Sequence, residues 1–240
     1  SRRRSNRPRP QSKPGAASAS VSPCSPIGFA RFPLAVQSQG EGEISGAQSM
    51  AANICGILLA AGASKRFGSD KLMHPLGQTT VAVTALANLR AAIPHVIAVV
   101  RPGVPLLENR LSEAGATVLL CVDAGEGMGT SLATAVAASG DVAGWVVALA
   151  DMPYIRPESI GKIAASLAAG AAIVAPAYRG ERGHPVGLSA RFRAQLEALR
   201  GDEGARSVLD QNARLIKLIE VDDPGVCRDI DTPDDLRRAL

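Results

Sequence analysis

The sequence predicts an α/β protein built on a doubly wound, mostly parallel sheet with helices on both faces. Three observations predict it. From Asn53 onward, short apolar runs alternate with longer stretches of helical character, the order that parallel strands and crossover helices require. Aromatic residues make up only 3% of the 240 residues against 46% hydrophobic residues. The core must therefore be assembled from Ala, Val, Leu and Ile, which suits strands covered on both faces. Gly and Pro also stand where elements should end, as at Pro94, Gly115 and Gly170.

Taken in order, Ile54–Ala60 reads as the first strand, a short apolar run that stops at a small-residue loop. Thr79–Ala92 reads as a helix closed by Pro94, and His95–Val100 as the second strand. Val104–Ala114 is a helix with Gly115 at its end, and Thr117–Val122 is the third strand. A glycine-rich turn, Gly125–Gly129, leads into a helix over Gly129–Ser139. Trp145–Ala150 is the fourth strand, Pro157–Ala169 a helix stopped by Gly170, and Ala171–Pro176 the fifth strand. Beyond it the pattern gives helices near Ala190–Arg200 and Gly204–Gln211, a strand near Ile216–Val221 and a last helix from Pro233. No internal repeat is visible. Ligands of such a sheet bind beyond the carboxyl ends of its strands.

The first 49 residues differ in kind. They are rich in Arg, Pro, Ser and Gly, show no apolar period and are expected to be a disordered tail. Met50 follows them, so residues 50–240 are expected to form a single domain, a nucleotide-binding half over about 53–153 and a second half over 154–240. Met50 reads as a natural start, or the basic, Ser-containing segment before it as a targeting sequence. The net charge of +4 belongs to the tail. Residues 1–50 carry seven basic and two acidic residues, a net of +5, leaving 19 basic and 20 acidic over the other 190, a net of −1. A near-neutral domain does not predict a nucleic-acid surface. No run of about 18 uncharged apolar residues predicts a membrane span. Cys24, Cys55, Cys121 and Cys227 form no C-x-x-C pair, which argues against a zinc site or a disulfide scaffold and for a reducing, cytoplasmic setting. Cys55 and Cys121 sit in apolar runs and are expected to be inert core residues.

The chemistry concentrates in four places. The loop after the first strand, Leu59-Ala60-Ala61-Gly62-Ala63-Ser64-Lys65-Arg66-Phe67-Gly68-Ser69-Asp70-Lys71, joins small residues to three cations. Small side chains let backbone N–H groups approach phosphate oxygens, and the cations offset their charge. It is neither a P-loop, since no Gly-Lys-Ser/Thr follows, nor a G-x-G-x-x-G dinucleotide turn. Asp151, at the end of the fourth strand, stands where a ligand crevice should lie. It suits Mg²⁺ or merely caps the next turn. In Asp229-Ile230-Asp231, an extended backbone projects both acids to one side. Asp234 and Asp235, by contrast, are explained by a helix starting at Pro233 with Thr232 as its N-cap. Three glycines in Gly125–Gly129 favour close approach to a base or an anion over a plain turn. His184, between Gly183 and Pro185, either binds an anionic or heterocyclic ligand or orders its loop, whereas His74 and His95 lack such a setting.

Together, Leu59-Ala60-Ala61-Gly62 with Arg66, Phe67-Gly68 and Asp70-Lys71, then Gly127-Met128-Gly129-Thr130-Ser131-Leu132, Leu149-Ala150-Asp151-Met152-Pro153, Gly183-His184-Pro185-Val186 and Asp229-Ile230-Asp231-Thr232-Pro233 resemble the MobA-like nucleotidyltransferases, in particular their molybdenum cofactor cytidylyltransferase branch. The resemblance covers about Ile54 to Leu240. It implies a Rossmann-type, nucleotide-diphospho-sugar-transferase-like fold. The implied reaction moves a nucleoside monophosphate from an NTP, CTP in this branch, onto the terminal phosphate of a molybdopterin-type cofactor, with release of pyrophosphate. It further implies that Leu59, Ala60, Ala61 and Gly62 line the nucleotide, that Arg66 and Lys71 neutralise its triphosphate, and that Gly127, Gly129 and Ser131 border the base or acceptor. Asp151 and Asp231 would hold Mg²⁺, with Asp229 as the alternative, and Gly183, His184 and Pro185 would meet the acceptor. A client molybdoenzyme is the implied partner. Leu-Ala-Ala-Gly is typical of cytidylyl members and Leu-Ala-Gly-Gly of guanylyl members. The Ala61 methyl leaves less room for a purine, a difference of about 1–3 kcal/mol. The competing readings are a guanylyl- or uridylyltransferase with another acceptor, and a non-catalytic cofactor-delivering chaperone, which would not need both Asp151 and Asp231.

Overall fold

The computed structural model describes residues 53–62 and 70–237. The segment 1–49, Met50 and the Lys65–Gly68 part of the first loop, with Arg66, lie outside them. The chain runs through β1 (Ile54–Leu59), a short hairpin of β2 (Pro75–Leu76) and β3 (Thr79–Thr80), α1 (Val81–Ala92), β4 (Val96–Val100), α2 (Pro105–Glu113) and β5 (Thr117–Leu120). It continues with α3 (Met128–Ala138), β6 (Gly144–Leu149), α4 (Pro157–Ala168), β7 (Ile173–Tyr178), β8 (Glu181–Arg182) and β9 (Val186–Ser189). The last elements are α5 (Arg193–Glu197), α6 (Arg206–Gln211), β10 (Ile216–Glu220) and α7 (Pro233–Arg237).

The strands lie in the order β5-β4-β1-β6-β9-β7-β10, with β8 paired to β7. β1 pairs in parallel with β4 and with β6, β4 with β5, and β7 with β10. β9 runs antiparallel between β6 and β7. From β1 the chain winds outward to β4 and β5, then returns to β6 on the other side of β1. The carboxyl ends of β1 and β6 therefore flank a topological switch point, where open α/β sheets bind ligands.

Strand alternation divides the core in two. Ile54, Leu58, Val96, Ala98, Val146 and Ala148 pack with Leu86 and Leu89 of α1, Leu111 of α2 and Ile163 of α4 on one face. Cys55, Ile57, Ile97, Val99, Trp145 and Val147 pack with Leu132 and Val136 of α3, Leu196 of α5 and Leu209 of α6 on the other. This is the doubly wound, mostly parallel sheet that the sequence predicts. Cys55 and Cys121 are buried as expected, and burial pushes the Cys55 thiol up to about 11, which leaves it protonated and inert.

Three local expectations need correction. The helix expected from Thr79 begins at Val81, because Thr79 and Thr80 pair with Pro75–Leu76 as a strand. The helix expected over Ala190–Arg200 is a 3₁₀ turn, Ala190–Phe192, followed by the short α5. Of the stretch Gly180–Val186, read as a loop, Gly183–Pro185 with His184 is one, but Glu181–Arg182 before it form β8 and Val186 after it opens β9. The hairpin turn before β8 uses Arg179 (φ 53°) and Gly180 (φ 83°), and β9 is a four-residue strand containing a glycine, too short to display a period of two. Among the described residues, no helix is long and apolar enough to cross a membrane.

Candidate active site

β1 delivers the first loop to the switch point. The Ala150 amide donates to the Leu59 carbonyl (3.1 Å) and the Ala60 amide to the Val99 carbonyl (2.9 Å). Leu59 and Ala60 are thus fixed beside the ends of β6 and β4. Ala61 is half-buried and Gly62 exposed.

After the undescribed stretch, the chain returns in a 3₁₀ turn, Lys71–Met73. Asp70 caps it by accepting from the Leu72 amide (3.2 Å), and the buried Leu72 anchors it in the core. A side-chain cap and one apolar anchor hold Lys71 in place. Its ammonium lies 2.7 Å from Asp151 Oδ2 and 3.3 Å from Asp231 Oδ1. Burial alone would lower the Lys71 pKa. The hydrogen bonds and charges of Asp151 and Asp231 outweigh it and raise the pKa above the ordinary lysine value. Lys71 is a cation here.

The two acids reach this point from stretches of chain 80 residues apart. Asp151 lies just beyond β6, and its carboxylate accepts from the Lys71 ammonium. The Ile230 amide donates to the Asp151 carbonyl (2.9 Å), and the Ile230 side chain is fully buried with Val81 and Leu236. That anchor turns Asp231 toward Lys71. Asp235 accepts from the Asp231 amide (3.1 Å), the Thr232 amide (2.7 Å) and the Thr232 hydroxyl (2.8 Å), a capping arrangement at the start of α7. Asp229 is exposed, and its charge acts on His184.

The Gly183-His184-Pro185 segment closes another side. Gly183 packs against the Val226 backbone so closely that a Cβ would collide with the Val226 carbonyl. The His184 amide donates to that carbonyl (2.8 Å). Burial lowers the His184 pKa, Asp151 pulls it back upward, Arg182 adds to the lowering, and Asp229 opposes it. The imidazole is therefore neutral at pH 7, and its buried Nδ1 has no hydrogen-bond partner among the described residues. Sequence reasoning missed Asp223, which is 2% exposed. It accepts from the Arg156 amide (2.9 Å), the Ser159 hydroxyl (2.7 Å) and the Gly225 amide (3.0 Å). It thereby ties the α4 N-terminus to the turn that seats His184. Its partners among Arg156 and Ser159 stand more than 60 residues away, beyond the reach of local pattern.

The glycine-rich turn has a packing reason that its density alone did not reveal. A Cβ on Gly127 (φ 132°) would collide with the Gly201 backbone and the Asp202 carboxylate, and one on Gly129 would lie 2.9 Å from the Arg200 and Gly201 carbonyl oxygens. Ser131 is buried, and its hydroxyl donates to the Gly127 carbonyl (3.4 Å). Met128, between the two glycines, is 44% exposed. It borders a cavity of about 330 Å³ that also touches Leu59, Leu132, Leu149, His184 and Arg206. The cavity therefore joins residues predicted for the nucleotide side to one predicted for the acceptor side.

Among the described residues, no cluster of three or more His, Cys, Asp or Glu side chains gathers as a metal cage. The Asp151 and Asp231 carboxylates nevertheless converge on one cation, the Lys71 ammonium. Two hard oxygen donors in an open crevice fit a divalent cation such as Mg²⁺, which takes one or two carboxylates and completes its shell with water and phosphate oxygens.

Comparison with known proteins gives the chain's relatives. A family model described as the MobA-like NTP transferase domain matches residues 56–215. Nicotine blue oxidoreductase of Paenarthrobacter nicotinovorans is 31% identical over 78% of this chain and 96% of its own. Molybdenum cofactor cytidylyltransferase of Escherichia coli is 29% identical over 76% of this chain and 93% of its own. The crystal structure of Rv0371c from Mycobacterium tuberculosis in complex with manganese superposes with a TM-score of 0.67 at 28% identity, over 78% of this chain and 98% of that one.

Proposed function

We propose that this chain, which belongs to the MobA-like NTP transferase family and is a nucleotidyltransferase, moves CMP from CTP to the terminal phosphate of a molybdopterin-type cofactor, releasing pyrophosphate and forming molybdopterin cytosine dinucleotide. The observation that carries the reading is the meeting of Lys71, Asp151 and Asp231 at the switch point of the sheet. An acceptor phosphate is already anionic at neutral pH and needs no strong base. The barrier is mainly repulsion between phosphates, so positioning and electrostatic stabilisation are the enzyme's task. A lysine and two acids among the described residues suit that task.

In this reading residues 50–240 form the catalytic domain. The Leu59–Gly62 backbone lines the nucleotide, and Lys71, with Arg66, neutralises the triphosphate. The Gly127–Ser131 turn borders it through its exposed edge at Met128, since the Ser131 hydroxyl is bonded within the turn. Gly183, His184 and Pro185 face the acceptor, and Asp229 modulates His184. Asp151 and Asp231 would hold Mg²⁺, which supplies a Lewis acid for the phosphoryl oxygens. That Rv0371c has been crystallised as a complex with manganese supports use of a divalent ion. The Ala61 methyl supports cytosine over a purine, and similarity to the E. coli cytidylyltransferase supports both the base and the acceptor. The name of the other relative is that of an oxidoreductase, but no G-x-G-x-x-G dinucleotide fingerprint follows β1 in this chain.

The test is pyrophosphate release from CTP, GTP, UTP and ATP with Mg²⁺, with and without molybdopterin cofactor. The reading expects release only with CTP and cofactor together, and a larger share of GTP use in Ala61→Gly. Cofactor-dependent release with another nucleotide overturns the base. No release with any nucleotide, while the cofactor still binds, favours the chaperone over the enzyme.

A further inference from the structure

Lys71 does more in this geometry than wait for a phosphate. Its ammonium occupies the point on which Asp151 and Asp231 converge, at 2.7 and 3.3 Å. It is also the better covered member of the trio, with its side chain 13% exposed against 23% for Asp151 and 41% for Asp231. The turn that carries it is fixed by the Asp70 cap and by Leu72, so the lysine is built into the site rather than sampled from solvent. A divalent cation using the same oxygens must share them with, or take them from, that ammonium. On two shared carboxylates an ammonium and a divalent cation repel each other, and in a partly dry crevice that repulsion is costly. A triphosphate removes it, and the flexible lysine stem can carry the ammonium to those oxygens.

We propose that Lys71 is an internal counter-cation that competes with the divalent metal for Asp151 and Asp231 and, on yielding them, passes to the triphosphate, so that metal and nucleotide bind cooperatively. The proposal rests on the metal site described under the proposed function. It assigns Lys71 a second role, suppressing metal binding when no nucleotide is present to use it. The coupling is reciprocal: whatever the nucleotide gains from the metal, the metal gains from the nucleotide. Removing the lysine uncouples them in a specific direction. Metal binding alone becomes tighter, while the benefit that metal confers on nucleotide binding shrinks.

The test is Mn²⁺ binding to the full chain without nucleotide, read from the electron paramagnetic resonance signal of free Mn²⁺, for wild type, Lys71→Gln and Asp151→Asn. Circular dichroism melts check that each variant is folded, and Lys71→Met serves as a second variant expected to behave as Lys71→Gln does. The expected result is Mn²⁺ bound about tenfold more tightly by Lys71→Gln than by wild type, with binding lost in Asp151→Asn. Calorimetric titration of CTP, without acceptor, should then show Mn²⁺ tightening CTP binding less in Lys71→Gln than in wild type. Equal or weaker Mn²⁺ binding by Lys71→Gln, with Asp151 still required, overturns the competition and leaves the metal site standing. Mn²⁺ binding indifferent to Asp151 overturns the metal site and the competition with it. An equal gain for CTP in both proteins overturns the coupling.

Discussion

His184 is held neutral by burial while two acids, Asp151 and Asp229, draw it toward its charged form and Arg182 repels that charge. The sign of the consequence follows from linkage. A histidine whose folded pKa lies below its unfolded value of about 6.5 takes up a proton more readily when the chain unfolds. Its contribution to stability is therefore intact above pH 6.5 and lost as pH falls through the folded pKa. Thermal melts between pH 7.5 and 5 should show a steeper acid-side loss for the wild type than for His184→Gln; parallel profiles would mean that the imidazole does not titrate against folding. At this scale the sequence was partly readable. Asp151 stood out because a buried strand ends on it. Asp229 and Asp231 could not be separated by alternation, since both project alike from an extended chain. Ile230 separates them: its burial and its amide bond to the Asp151 carbonyl bring Asp231 to Lys71.

Between elements, the decisive joint is Asp223. One buried carboxylate satisfies the α4 N-terminus and the Pro224–Cys227 turn at once, and that turn offers the Val226 carbonyl to His184. Asp223→Ala leaves several buried donors unpaired and should cost about 2–3 kcal/mol. Because the loosened turn carries the seat of His184, KM for the acceptor should rise while KM for CTP stays near the wild-type value. A fall in melting temperature with no such split in KM would make Asp223 structural only. The elements that local pattern could not supply share one cause. β9 is pinned by two flanking strands, β6 and β7, and not by its own four residues. Glycine density in the Gly125–Gly129 turn does not distinguish close approach to a ligand from close approach to the Arg200–Asp202 backbone, and only the fold reveals the second. Long, periodic segments such as α1 and α4 were legible because their own residues decide them.

Over the whole molecule, an aromatic-poor core of Ala, Val, Leu and Ile builds a sheet covered on both faces, and its winding order places β1 and β6 side by side with their carboxyl ends open. Everything chemical in the described residues gathers at that edge. Lys71 arrives from the first loop, Asp151 from β6, His184 from the turn before β9, and Asp231 from the approach to α7. Sequence order of the motifs conveyed this gathering only through resemblance, because positions 71, 151 and 231 are 80 residues apart in steps and no local rule links them. Under the proposed function, nucleotidyl transfer at this end of the sheet runs through Asp151. The most direct measurement is single-turnover pyrophosphate release from CTP in the presence of Mg²⁺ and molybdopterin cofactor, for wild type and Asp151→Asn, with thermal melts of both. The account predicts a loss of at least about a hundredfold in rate with the folded state preserved. Wild-type turnover in a folded Asp151→Asn protein would contradict it.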